Sequence, residues 1–249
     1  MNAYAGLKAV FKREFRGYFV SPLGYIILIA FLVTCGVLTI SRDIGRFLEL
    51  RNASLAPFFA QLPLVFAVLV PAVAMRLWAE ERKTGTVELL FTLPITLRAS
   101  YLGKFFTGWG FLSVALALTF PIVIVVAWLG DPDWGVILTG YLGSALCAGF
   151  YLAVGMLFSA VTKNQVIAFI LGLAVSLIFL QIGQPQSLEL IGNLFGAYME
   201  QLASSLSIND HFNSLSRGLI ELRTLAFFGF STLCWLVIGM LMLNEVKAS

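Results

Sequence analysis

Apolar residues along this chain gather into six long runs separated by charged connections. The runs span about Leu23–Ile40, Pro57–Leu77, Tyr101–Leu129, Val136–Val161, Val166–Ile182 and Leu225–Leu243. A helix needs roughly 20 mostly apolar residues to cross the hydrocarbon core of a bilayer, which is about 30 Å thick. The pattern therefore predicts an all-α integral membrane protein with six transmembrane helices, built as one domain over residues 1–249. About twenty residues precede the first run, and no A-x-A-like cleavage site follows it. It is expected to be a retained span rather than a signal peptide.

Three stretches outside the runs are more than plain connections. Wound as a helix, residues 1–20 place Leu7, Val10, Phe11, Phe15 and Tyr18 on one face and Lys8, Lys12, Arg13 and Arg16 on the other. That is the pattern of an amphipathic helix in the membrane interface, its basic side toward anionic headgroups. The same helix could anchor the topology or grip a cytoplasmic partner. Glu14 falls within the apolar arc, and the pattern gives no account of it.

The second stretch, residues 80–97, joins the second and third runs. Glu80, Glu81, Arg82 and Lys83 lead to Gly85, a feasible start for a short helix continuing through Thr86. Glu88 would then sit in the positive first turn. Val87, Leu90 and Phe91 can share a face, and Pro94 ends the helix or sets up a turn. Such a helix can serve as a knob for another protein's groove, but periodicity alone favours a solvated loop whose charges enforce topology. The third stretch, residues 183–224, is too polar to span the membrane yet holds Leu190, Ile191, Leu194, Phe195 and Leu202. Re-entrant or surface helices on the outer face are expected there. Ser207–Phe212 reads as a turn or helix cap, and Ser216–Glu221 leads into the last run.

Composition agrees with a lipid solvent. Of 249 residues, 59% are hydrophobic and 12% charged, and the mean hydropathy is +0.93. Soluble domains carry about 25% charged residues. The net charge of +3 and the lack of a long basic tract point away from nucleic acid. Charge placement sets an orientation. With the N-terminus inside, eleven Lys and Arg residues fall on the cytoplasmic side and five outside. Both termini are therefore expected in the cytoplasm. The spans themselves hold almost no charge, which argues against a proton- or ion-coupled carrier.

Catalytic and metal chemistry find no footing. The chain lacks a G-x-x-x-x-G-K-[ST] phosphate loop, H-E-x-x-H and G-x-S-x-G. Cys35, Cys147 and Cys234 are far apart, and a packing role suits them. His211 is the only histidine, so a hydrogen-bonded structural role is expected and no metal. Small residues at helix-packing intervals, Ala145 with Gly149 and Ala168 with Gly172 and Ser176, allow close helix approach, with Gly140, Gly143 and Gly155 adding to it.

The stretch Met75–Pro94, with its Glu-Glu-Arg-x-x-Gly-Thr element at Glu80–Thr86, resembles the hallmark of ABC-2 type permeases. The six-span layout, the amphipathic N-terminal helix and the long outer segment are similar too. Ser21–Tyr25, Asp131–Gly135, Thr162–Val166, Asp210–Phe212, Arg217–Gly218 and Glu221–Arg223 resemble the gliding-motility-type branch. The interval from Gly85 to Leu93–Pro94 is too short for the coupling signature of classical importers. The resemblance implies a coupling helix between spans two and three, contacting an ATPase through Glu80, Glu81, Arg82, Lys83, Gly85, Thr86, Val87, Glu88, Leu90 and Phe91. It implies separate cytoplasmic ATPase subunits holding ATP and Mg, with no cofactor on this chain. It also implies a second copy or homologous permease, location in a bacterial inner membrane, and export as the direction. The alternative it leaves open is an ATP-driven platform that moves an extracytoplasmic auxiliary protein without translocating substrate. In the outer segment the residues singled out are His211, Phe212, Arg217 and Gly218.

Overall fold

The computed structural model describes residues 3–40, 54–86 and 96–248, and among them it contains eleven helices and no strand. In chain order these are α1 (Ala3–Val20), α2 (Pro22–Ile40), α3 (Ala56–Thr84), α4 (Leu97–Ala117), α5 (Phe120–Leu129) and α6 (Trp134–Val161). They continue with α7 (Gln165–Ile182), α8 (Pro185–Phe195), α9 (Ala197–Ser205), α10 (Ile208–Ser216) and α11 (Leu222–Ala248). Six stretches are long and apolar enough to span a membrane: α2, α3, α4 with α5, α6, α7 and α11. The chain is thus an all-α, six-span integral membrane protein.

Two helices form the centre. The apolar window of α6 is 78% buried and that of α3 is 61%, against 17% for both α7 and α11. The close approach follows from small side chains. A Cβ on Gly155 would stand 2.5 Å from the Ala74 Cβ, and one on Gly172 would stand 3.4 Å from both Gly155 Cα and the Pro71 ring. The stripe Ala168, Gly172 and Ser176 is the buried face of α7. At Gly140 the space a side chain would need is filled by the Phe59 ring, at 2.5 Å.

The third apolar run, read as one segment from the sequence, is broken. Pro121 lies in the first turn of α5 and has no N–H to give the preceding turn. Thr119 repairs the break: its hydroxyl lies 2.6 Å from the Leu116 carbonyl and 2.9 Å from the Tyr141 hydroxyl on α6.

The N-terminal helix lies on the bundle. Val10 packs where Gly103 leaves room, Phe11 and Phe15 reach Gly110, and Tyr18 stacks on Phe111 with ring centroids 4.6 Å apart. The apolar face of this helix meets α4, because glycines at 103 and 110 open a groove along it. Lys8, Lys12, Arg13 and Arg16 occupy the exposed face.

The segment between the fifth and sixth spans, expected from charge placement on the outer side, divides in two; the opposite end of the bundle, where α1 lies, is termed the inner end on the same expectation. In α10, Ile208, His211, Phe212 and Leu215 are buried, and Leu215 fills the space beside Gly143 of α6. Gly218 closes α10 at φ +89°, with Gly218 N–H donating to Leu215 O at 3.1 Å and Leu219 N–H to Ser214 O at 3.0 Å. This paired closure satisfies the terminal carbonyls and favours glycine. By contrast, α8 and α9 pack on each other as a projecting hairpin around Gly196. Leu190, Leu194, Phe195 and Tyr198 are exposed on it.

Candidate coupling site at the inner end of the bundle

Helix α3 does not stop where its apolar residues do. It runs on through Glu80, Glu81, Arg82 and Lys83 to Thr84, and ends at Gly85 in the left-handed conformation, φ +72°. The sequence reading made these charges a lead-in and Gly85 a helix start. In the structure the charges are the last turn and a half of α3 and Gly85 ends that helix, while Thr86 is again helical and the continuation expected from the sequence lies outside the described residues. The physical reason is that each of the first three charges finds a partner on a neighbouring helix or turn.

Glu81 is the hub. Its Oε1 lies 2.8 Å from Lys104 Nζ and 3.7 Å from Arg13 Nη2, joining α3 to α4 and α1. Lys104 is 1% exposed. A cation so deep must be paired and hydrogen-bonded. Besides Glu81 it donates to the Leu77 carbonyl at 2.6 Å and lies 4.8 Å from the centre of the Trp78 ring. Trp78 in turn stacks on Tyr101 of α4.

Arg82 reaches across to α6 and donates to the Ala160 carbonyl at 2.6 Å. Arg76 donates to Glu80 at 3.0 Å and to Ser21 at 3.1 Å, tying α3 to the start of α2. Glu14, unexplained by its pattern, pairs with Arg13 at 2.6 Å and lines a cleft of about 130 Å³ with Tyr18, Arg76 and Glu80. Tyr18 donates to the Val73 carbonyl at 3.4 Å. Burial, then the Glu14 carboxylate, hold its phenol above the ordinary range, partly offset by Arg76. At neutral pH it is therefore a donor.

Ser159 of α6 completes the junction. Its hydroxyl accepts from the N–H groups of Trp78 and Ala79, each at 3.0 Å, and donates to the Met75 carbonyl at 2.9 Å. One side chain is thus inserted among the backbone groups of α3.

The residues singled out from the sequence separate into two places. Glu80, Glu81, Arg82, Lys83, Gly85 and Thr86 lie together at the inner end of α3, with Arg13 beside them. Lys83 and Thr86 are exposed, and the Thr86 hydroxyl is 3.0 Å from that of Thr84. Val87, Glu88, Leu90 and Phe91 lie outside the described residues. At the other end His211 Nδ1 is 3.3 Å from the Thr224 hydroxyl, and Nε2 is 3.2 Å from the Ser205 carbonyl. Its ring stacks on Phe227 with centroids 4.1 Å apart. Phe212 is buried beside it, Arg217 is exposed, and Gly218 is the turn residue described above.

Sequence reasoning missed Lys104, Ser159 and Trp78 as members of the site. In the sequence Lys104 is one of the eleven Lys and Arg residues that set the orientation, although a lone lysine inside an apolar run signals a buried partner. Ser159 left no signal, because a serine in an apolar helix is common.

The sequence holds no G-x-x-x-x-G-K-[ST] loop, and among the described residues the arrangement links helices through ion pairs and hydrogen bonds. No curated protein matches the chain. The family profile described as ABC-2 family transporter protein matches residues 9–244, which covers α1 from its second turn, the whole inner junction and all six spans. The chain belongs to this ABC-2 transporter family, as a membrane permease subunit that is not itself the ATPase.

Proposed function

We propose that this chain is the permease half of an ATP-driven exporter and takes its power stroke through the inner end of α3. The observation that carries the reading is the Glu81–Lys104 pair, which bonds the last turns of α3 to α4 four residues before Gly85. A push delivered at residues 85–91 by a cytoplasmic ATPase, with ATP and Mg bound on that partner, would reach two spans at once. Arg82 and Ser159 would pass it to α6, the central helix. Such a push shifts the permease between states only if the contacts differ between them. Breakable polar pairs at the junction supply that difference.

The orientation rests on the excess of Lys and Arg at this end, which supports cytoplasmic termini in a bacterial inner membrane. Pairing with a second copy or a homologous permease, and closeness to the gliding-motility-type branch, rest on the sequence resemblance. The exposed apolar hairpin α8–α9 favours a second reading, in which the outer face moves an extracytoplasmic auxiliary protein.

The test is affinity purification from native membranes in mild detergent, with ATPase activity assayed on the product. An ATP-hydrolysing subunit should co-purify, and Val87→Glu with Leu90→Glu should abolish its coupling to the permease. A complex lacking any nucleotide-binding subunit, across several detergents, would overturn the reading.

A further inference from the structure

A large groove opens on the membrane side of the inner end, between α1, α4 and α11. Its volume is about 1020 Å³, at the top of the roughly 300–1,000 Å³ range of small-molecule sites. Its lining is graded. Thr96 and Arg98 at the start of α4 and Asn244 near the end of α11 supply polar groups at one end. Leu102, Val237, Met240 and Leu241 line the remainder. Helical rise places Leu102 about 7 Å along α4 from Leu97, and Val237 about 10 Å along α11 from Asn244. Both displacements run toward the middle of the bundle, since α4 begins and α11 ends at the inner end. The groove is therefore polar at the membrane boundary and apolar further in.

Arg98 is the one charged side chain among the described lining residues. Lys8 follows Leu7 on α1 and Glu245 follows Asn244 on α11, both exposed and of opposite charge, so the cation within the groove itself is Arg98. A second membrane-facing groove gives the contrast. It lies between α4, α6 and α11, measures about 230 Å³, and has no charged side chain among its described lining residues. That groove offers a place for a chain and nothing for a headgroup.

We infer that the larger groove is a binding site for one anionic phospholipid of the inner leaflet. The phosphate would be held at Arg98, with Thr96 and Asn244 donating to its oxygens, and an acyl chain would lie along Leu102, Met240 and Val237. Arginine suits the role because its planar fork bonds two phosphate oxygens at once. Basic pockets between spans on the cytoplasmic side bind anionic headgroups for the same reason. A lipid seated there touches α1 and α4, the helices that Glu81 ties to α3. The inference requires that the chain sits in a bilayer with this end toward the inner leaflet, and it stands or falls separately from the exporter reading.

The experiment is native mass spectrometry on protein purified in mild detergent, stripped of lipid and given back dioleoyl-phosphatidylglycerol or dioleoyl-phosphatidylcholine. The wild type should retain one phosphatidylglycerol per chain, with a preference of about tenfold over phosphatidylcholine, the scale of one charge-assisted contact. Arg98→Gln should remove that preference and Arg98→Lys should keep part of it. Leu241→Trp should block retention of both lipids. Arg98 and Leu241 are both exposed, so these changes leave the core intact. Equal retention of the two lipids by the wild type, or retention unchanged in both Arg98→Gln and Leu241→Trp, would overturn the assignment. Loss of an oligomer in Leu241→Trp without loss of lipid would make the groove a subunit contact and overturn it equally.

Discussion

The two ends of the bundle hold polar and apolar residues in opposite ways. At the inner end, charged side chains are drawn inward: Lys104 is buried, Glu81 is its partner, and Arg82 and Ser159 fasten α3 to α6. At the outer end, apolar side chains are pushed outward. Helix α8 has no buried residue and α9 has only Ala203. The inner end is held by short directional bonds that fix helix positions. The outer hairpin is joined to the bundle through α7 and α10, with few contacts of its own. Under the proposed function, a displacement applied at the inner end would be transmitted, whereas one applied to the hairpin would be absorbed.

The sharpest way to break this contrast is to remove one member of the buried pair. Lys104→Met should leave Glu81, whose second oxygen is already buried without a partner, with only the more distant Arg13 at 3.7 Å. Glu81→Gln should strand the buried ammonium instead. Each change is expected to cost about 3–5 kcal/mol, the range for breaking a buried ion pair. The double change Glu81→Gln with Lys104→Met should recover much of that loss, because no lone charge remains. Thermal unfolding of the four proteins in one detergent measures the cycle. Additive losses would show that the two side chains do not act as a pair.

The next effect belongs to the centre, which both ends share. Gly155→Ala puts a methyl group 2.5 Å from the Ala74 Cβ, where neither atom can turn aside. Overpacking of this kind costs about 1–3 kcal/mol. Ala74→Gly should relieve it, since the two substitutions exchange the methyl group across one contact. Melting curves for the single and double variants decide the matter. A Gly155→Ala protein as stable as the wild type would mean that α3 and α6 separate freely there.

How much of this was legible depends on what each feature needs. The six spans were readable because lipid imposes length and apolarity on every one of them. Their ends were less so. The charges after Leu77 read as a connection, yet α3 continues to Thr84 because Lys104, Arg13 and the Ala160 carbonyl receive those charges. These partners lie 23 residues or more away in the chain, beyond the reach of any local pattern. The break at Thr119 was visible in Pro121 but hidden by the continuous apolar run around it. The small residues at 155, 168, 172 and 176 announced close packing, though not against which helix. His211 could be named from its rarity, while its partners Thr224 and Ser205 come from the fold alone.

Closing α10 is a smaller matter, at the border between the two halves of the outer segment. Gly218→Ala forces a Cβ into the left-handed region at φ +89°, which costs about 1–2 kcal/mol. The loss should appear as a lower melting temperature together with faster amide exchange at Gly218 and Leu219, whose N–H groups close the helix. Protection unchanged at both amides would show that α10 is held by Phe212 and Leu215 alone.

The smallest effect is expected where the contrast is greatest, in the hairpin. Helix α7 has 18 residues, a length of about 27 Å against a hydrocarbon core of about 30 Å. A helix of that length would bring α8 to the boundary of the lipid, where its exposed apolar side chains would rest on the membrane rather than on the protein. Leu194→Ser with Phe195→Ser removes two of them without opening a cavity. In detergent the change should fall within about 0.5 kcal/mol, as for surface substitutions that touch nothing. In a bilayer the same protein should lose more, because the lipid contact is then present to be lost. Melting the variant in detergent and in lipid nanodiscs separates the two. A large loss in detergent would mean the hairpin bears on the bundle after all, and the two ends would differ less than their burial implies.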